Sequence, residues 1–532
     1  MLTRRTLLAS SATALAAPAV IGSATAATPA GVVVMGKQID DVAVGFDPAE
    51  SYEATNNETD GNCYRKLVMP DPRDPNKLIG DLADKWQVSP DGLTFNFQIR
   101  SGSVFESGKP LTAEDVAFSF QRVVKLNKTP GFIFTQFGFN ADNVEKMVRA
   151  TGPNALELKL PEIQASTFVL YCLSANVGCV VEKATALANQ TNGDLGNGWL
   201  KRRSAGSGPY RLVEWLASDR VVIEANPNAT GKPKIPRVIL RHIAEPAAQL
   251  LELQKGGIDI ARDLGPDQLK SILGKPDFAQ ARSNQLTSMY TVMNMTVPQF
   301  QKLEVRQAVK WAIDYDAIAK NIAPIVYKVW QSFLPDGTPS AINEQPYKRD
   351  VAKAKALLAQ AGLADGFSVT LDHFATSPER DIAQAIQQNL SDIGIKVQLL
   401  AGERKQVITK TRARQHQMAL LSWFSDYLDP NSNAQGFCAN PDDSDASKLR
   451  ILAWRSHYYD RNITEMVEKA AKELDSKKRT DMYAAMQRDF MKNSPFAMLL
   501  QKAEIATLRK GVSGLTLGTL PDYTRWAQIT KA

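Results

Sequence analysis

Short apolar runs and amphipathic stretches alternate along this chain. Leu93, Phe95, Phe97 and Ile99 alternate with Thr94, Asn96 and Gln98 after a Pro90-Asp91-Gly92 turn, which predicts a half-buried strand. Behind Thr112 and Asp115, a capping-box pair, Val116, Phe120, Val123 and Val124 recur at helical spacing, so a helix follows. Val32-Val33-Val34 reads as a first strand, and the polar stretch 52–61 as a loop running into a helix over 63–68. After the breaker Gly206-Ser207-Gly208-Pro209-Tyr210, residues 211–215 and 221–224 suggest a hairpin, then 246–254 a helix stopped by Gly256-Gly257 and 258–260 a short strand.

From about residue 289 the units become strand and helix in turn. Val305, Val309, Ala312 and Ile313 make one helix face, and Asp350 caps a helix ending at Gly362. Phe367, Val369 and Leu371 alternate as a strand that delivers His373. Ser377 and Pro378 open a helix with Ile382, Ile386, Leu390 and Ile393 on its buried face; Ile395, Val397 and Leu399 follow as a strand. Helices over 463–474 and 477–491 and two short strands, 496–500 and 504–508, close the chain. This alternation predicts an α/β fold with crossover helices.

The stretch 418–438, MALLSWFSDYLDPNSNAQGFC, stands apart. Met418 to Leu421 is a run of strand length, and Asp429-Pro430-Asn431 and Gly436 are loop formers, so a buried strand should break into a loop there. Trp423, Asp426 and Tyr427 sit at the break, and ligands of open α/β sheets bind beyond the carboxyl ends of strands. An aromatic plate beside one carboxylate suits a partly apolar cation, the charge-assisted hydrogen bond contributing about 1.5–3 kcal/mol. The same residues also suit rim packing and a turn. His373 and Asp426 each follow a predicted strand and could face one cleft.

Composition narrows the class. The chain has 532 residues, 44% hydrophobic and 22% charged, which exceeds one core and predicts two or three domains. Residues 1–26 carry Arg4-Arg5, a small apolar run and Ala24-Thr25-Ala26, an export signal of the twin-arginine type. No later segment is apolar enough to span a bilayer, so a periplasmic location is expected. Net charge is +7, or +5 without the signal, and it is dispersed, which excludes a nucleic-acid tract. Of Cys63, Cys172, Cys179 and Cys438, the pair Cys172 and Cys179 is locally suited to a disulfide. Their spacing and four scattered His residues give no metal site, and no cofactor is implied.

Gly80-Asp81-Leu82-Ala83-Asp84-Lys85-Trp86 with Ser89-Pro90-Asp91-Gly92-Leu93-Thr94-Phe95 resembles the signature block of the extracellular solute-binding proteins of peptide-type ABC importers, family 5. The resemblance continues through Gly108 to Val116, Gly206 to Tyr210, Arg306 to Asp314, Ala354 to Gly362 and Ile393-Gly394-Ile395. It implies a type II periplasmic-binding-protein fold of cluster C: two lobes closing on a central cleft, three domains. Domain I would comprise 27–68, 200–285 and 491–532, domain II 69–199 and domain III 286–490. The implied function is capture of a peptide or other amine-bearing solute, or of an opine, amino sugar, glutathione or metal chelate. Delivery would be to an inner-membrane ABC permease with cytoplasmic ATPase subunits, by a monomer without enzymatic activity.

Peptide binders of the family have a Trp, an Asp three residues on and then Asp-Pro; Trp423, Asp426 and Asp429-Pro430 match, which implies that Asp426 pairs with the solute's ammonium. Trp423, Tyr427, Ser425, His373 and Tyr52 complete the candidate ligand-binding set. Where dipeptide binders place a carboxylate-holding Arg near that strand end, this chain has His373, with Arg380 further on. Rival readings are a hydrolase using Asp426 and Asp429 as an acid/base pair, and a binder serving a chemoreceptor or chaperoning unfolded chains.

Overall fold

The computed structural model describes residues 28–72, 74–447 and 449–532. The export-signal reading of 1–26 lies outside the described residues. Strand β1 (Val32–Lys37) buries Val33, Val34 and Met35 at the centre of a large sheet, and is followed by helix α1 (Ala54–Cys63). A separate antiparallel sheet comes next, with β2 (Ala83–Val88), β3 (Thr94–Ile99), β4 (Val148–Gly152) and β5 (Ala155–Lys159) in the order β2-β3-β5-β4. In β3 the predicted alternation holds, with Phe95, Phe97 and Ile99 buried and Asn96 and Gln98 exposed. Helix α2 (Ala113–Leu126) starts at the Thr112–Asp115 capping box and packs on this sheet.

The large sheet gathers β6 (Tyr210–Leu216), β7 (Arg220–Ala225), β8 (Arg237–His242), β9 (Ile260–Ala261), β10 (Phe278–Met293), β11 (Phe367–Phe374), β12 (Ile395–Gly402), β13 (Met418–Phe424) and β14 (Phe496–Arg509). Its order is β12-β11-β13-β10-β14-β9-β1-β8-β7-β6. Helices α3 (Leu303–Ala312), α4 (Val351–Gln360), α5 (Glu379–Ser391), α6 (Arg404–Arg412), α7 (Asn431–Cys438), α8 (Leu452–Arg455), α9 (Arg461–Lys472) and α10 (Ser476–Asn493) belong to the β10–β13 half. There α3 buries Val305, Val309 and Ala312, and α5 buries Ile382, Ile386 and Leu390. No described helix is long and apolar enough to cross a membrane.

The two longest strands, β10 and β14, pair antiparallel from Phe278↔Arg509 to Val292↔Phe496. The register slips between Asn284↔Ala503 and Ser288↔Gln501, so that three residues of β10 face one of β14. At this bulge Leu286 leaves the ladder: its N–H bonds to the Thr519 carbonyl at 3.1 Å and its carbonyl accepts from Ser425 N at 3.0 Å.

Several expectations are corrected. The polar stretch 52–61 is mostly helix, and a helix over 63–68 is absent because Tyr64 is extended and a strand begins at Val68. Polar side chains replace an apolar face in α1: Glu58 accepts from Lys37 at 2.5 Å and from Arg262, and Asn62 Nδ2 donates to the Thr524 carbonyl at 3.0 Å. The loop expected at 429–436 is α7, with Pro430 at its N-cap. Pro378, not Ser377, caps α5, while Ser377 Oγ donates to Asp381 at 2.7 Å. The two tail strands are one, because Gln501 enters the sheet by donating to the Gln285 and Asp336 carbonyls at 2.9 Å.

The disulfide Cys172–Cys179 does not form; all four cysteines are free and buried. Cys172 sits in the core of the β2–β5 unit with Phe134 and Phe168, whereas Cys179 packs into the core around β1 with Phe46 and Trp526. Side chains turned into two different cores cannot meet.

Candidate ligand-binding site

The predicted strand around Met418 exists as β13, with Met418, Ala419 and Leu420 fully buried. It lies between β11, to which it is parallel, and β10, to which it is antiparallel from Met293↔Met418 to Thr287↔Phe424. The strand carries two residues past Ser422 before it turns. Ser425 closes the turn inside the protein: its N–H bonds to Leu286 and its Oγ donates to Asn433 Oδ1 at 2.9 Å. Asp426 comes next, its backbone N–H held by Ser432 Oγ at 2.9 Å.

The Asp426 carboxylate is half-buried, and Oδ1 accepts a hydrogen bond from Tyr52 Oη at 2.5 Å. Tyr52 stands just before α1, 374 residues away in sequence, with its ring 6.3 Å from Phe424 and 6.4 Å from Phe132. Three parts of the chain therefore meet around Tyr52. Burial pushes the Asp426 carboxyl up to about 6, against the downward pull of the Tyr52 hydrogen bond and of Arg455. The Tyr52 phenol is raised as well, by burial first and then by Asp426. On the rim, burial and Asp41 raise Glu53, and Arg412 lowers it.

Trp423 is half-buried and packs on the apolar cluster of Phe437, Leu452 and Phe496; its indole N–H has no partner among the described residues. Tyr427 is fully buried and tilts against Phe168 at 5.8 Å, joining the core of the β2–β5 unit. His373 is buried at the end of β11, with Nδ1 2.8 Å from the Phe374 carbonyl. The register places it level with Leu420, six residues before Asp426, or up to about 20 Å along a strand. Thus the structure joins Tyr52, Phe424 and Asp426, packs Trp423 on the Phe437 cluster and sets His373 further back.

Asp429 has a different task. Its two oxygens accept from Arg479 Nη1 and Nη2, both at 2.7 Å, with both side chains almost wholly buried. Arg479 also reaches Thr167 Oγ1 at 3.2 Å. Arg479 and Arg455 were not legible as site neighbours, since each lies in an amphipathic or mixed segment where a surface Arg is the ordinary reading. The only signal for Arg479 was Asp429 itself, an acid next to a Pro within an apolar stretch. Among the described residues no group of three His, Cys, Asp or Glu is placed to hold a metal ion.

The model of a family described as bacterial extracellular solute-binding proteins, family 5 Middle, matches residues 77–445. The chain is 26% identical over 501 residues, 93% of each protein, to the probable D,D-dipeptide-binding periplasmic protein DdpA of Escherichia coli (strain K12). It is 26% identical over 513 residues to di/tripeptide-binding protein 2 of Pseudomonas aeruginosa (strain UCBPP-PA14), spanning 90% of this chain and 92% of that one. Its fold is similar to that of the ABC transporter-associated periplasmic binding protein DppA from Helicobacter pylori in complex with the peptide STSA. That match has a TM-score of 0.78 at 23% identity, and covers 94% of this chain and 98% of the other.

Proposed function

The chain belongs to the bacterial extracellular solute-binding proteins of family 5 and has the α/β fold of the type II periplasmic binding proteins, and from that premise we propose that it captures a peptide or another amine-bearing small solute for an ABC importer. Domain I (27–68, 200–285, 491–532) with domain II (69–199) makes one lobe, and domain III (286–490) the other. Tyr52 and Phe132 belong to the first, Trp423, Phe424 and Asp426 to the second. The protein works in the periplasm as a monomer, exported by its twin-arginine signal, and its closed form is what the inner-membrane permease and its ATPase subunits meet.

One observation carries this reading: a half-buried carboxylate held by one phenol from 374 residues away in sequence and lacking an ion-pair partner within 4.0 Å among the described residues. An ammonium on the free oxygen of Asp426 offsets the desolvation that raises its pKa, and Trp423 offers an apolar wall for the rest of the solute. The similar proteins that bind dipeptides and tripeptides support a peptide as that solute. A carboxylate pair for hydrolysis has less support, because Asp429 is committed to Arg479.

Calorimetry with dipeptides and tripeptides tests the reading. Wild type should bind, and Asp426→Asn should bind about 2–5 kcal/mol more weakly, as for truncating a buried charge pair. Equal affinity removes Asp426 from the role.

A further inference from the structure

We propose that the helix Ser166–Ser174, with the few residues before it, is a latch that holds the two lobes shut, so that residues which never touch the solute set part of its affinity. This rests on the preceding division of the chain into lobes, with 69–199 on one side and 286–490 on the other. Contacts between these two stretches gather on that helix. Ala165, its N-cap, donates its backbone N–H to the Ala471 carbonyl of α9 at 2.8 Å. Thr167 Oγ1 accepts from Arg479 of α10 at 3.2 Å, and the same guanidinium stands 6.0 Å from the centre of the Phe168 ring. Further out, Lys472 Nζ pairs with Glu162 at 3.2 Å, and Leu474 lies over Gly92, where a Cβ would stand 3.2 Å from it.

Residues 426–429 show why this contact favours closure. Asp426 bonds to Tyr52, while Tyr427, fully buried, enters the core of the β2–β5 unit against Phe168. Leu428 joins Tyr171 of the latch helix and Leu286 of the β10 bulge in a smaller apolar cluster. Asp429 fixes Arg479, which aims the guanidinium at Thr167. Parting the lobes bares Tyr427 and Leu428 to water, which is unfavourable in proportion to the apolar area exposed. The polar contacts add direction more than strength, because a separated N–H and carbonyl are taken up by water. The exposed pair Glu162–Lys472 only trims the balance.

A solute that binds the closed form alone has its apparent affinity reduced by the fraction of protein that is closed. Loosening the latch therefore weakens binding with every solute contact intact.

The test reads lobe separation directly, in protein freed of solute by unfolding and refolding. The native thiols are buried, so spin labels go to cysteines introduced at the exposed Lys159, on β5, and Lys477, on α10. Pulsed electron resonance should show a population at the separation of the present structure and a second, longer one. Glu162→Lys, which sets two like charges together, should lower the ratio of closed to open about threefold, and combining it with Lys472→Glu should restore the ratio. Ala165→Pro removes the latch N–H at a φ of −56°, which Pro accepts, and should lower the ratio about tenfold. Lys469→Glu, on α9 but paired with Glu465 of the same helix, should leave it unchanged.

A long distance alone in wild type, or a ratio that ignores Glu162→Lys and Ala165→Pro, overturns the latch and leaves two moving lobes. The short distance alone in every variant overturns the division into lobes as well. Calorimetry with Ala-Ala should show affinity falling with the closed fraction, and affinity that holds while that fraction drops overturns the latch as a determinant of binding. Where wild type does not bind Ala-Ala, the peptide reading falls and the label distances still decide the latch.

Discussion

Replacing Asp426 by Asn probes the site before any ligand is known. Burial holds this carboxyl at about 6 rather than the usual 3.8. Between those values the native state keeps a proton that the unfolded chain releases, so wild-type stability falls as pH rises from about 4 to 6. A shift of about two units corresponds to about 3 kcal/mol, at 1.36 kcal/mol per unit, present in full above pH 6 and absent where both states are protonated. Asn at this position cannot ionise, yet its Oδ1 can still accept from Tyr52. In chemical denaturation, ligand-free Asp426→Asn should be more stable than wild type by up to about 3 kcal/mol at pH 7.5 and by only about 0.5 kcal/mol at pH 4. A variant that gains binding strength, or that is no more stable than wild type at pH 7.5, would refute the claim that a desolvated carboxylate is kept here for a cation.

Four further outcomes follow from the same geometry. Affinity for an ammonium solute should fall about tenfold per pH unit below about 6, read by calorimetry at pH 7.5, 6 and 5, since only the ionised Asp426 pairs with it. Tyr52→Phe removes the hydrogen bond that lowers Asp426, so the midpoint of that fall should move to higher pH. Arg479→Ala strands the buried Asp429 charge and should cost about 3–5 kcal/mol, seen as lower melting temperature; an unchanged melting curve would show that the pair does not support the fold. The four thiols, all raised by burial, should resist an aromatic disulfide reagent in the native protein and react once denatured, and dithiothreitol should leave melting unchanged.

Legibility in the sequence followed periodicity. Where one face is apolar and the other polar, as in β3, α2, α3 and α5, the spacing of side chains announced the element. Helix α1 was hidden because its buried face is Thr55, Asn56, Glu58, Thr59 and Asn62, and partners from elsewhere in the chain, among them Lys37, Arg262 and Thr524, make that burial tolerable. Pro430 and Asn431 look like loop formers yet start a helix, since a Pro at a helix start loses no bond there. At the site, Asp426 and Trp423 were visible as polar and aromatic residues where an apolar run stops. Tyr52 was named in the same candidate set, but its hydrogen bond to Asp426 was not foreseen, because nothing local predicts a pairing across 374 residues.

The slipped register between β10 and β14 has a mechanical consequence. A bulge bends its strand and sharpens the local twist, and in this one, with three residues of β10 facing one of β14, Leu286 gives its carbonyl to Ser425, whose neighbour is Asp426. A change of twist at Leu286 would therefore be passed through Ser425 to Asp426, and so to its distance from the phenol of Tyr52.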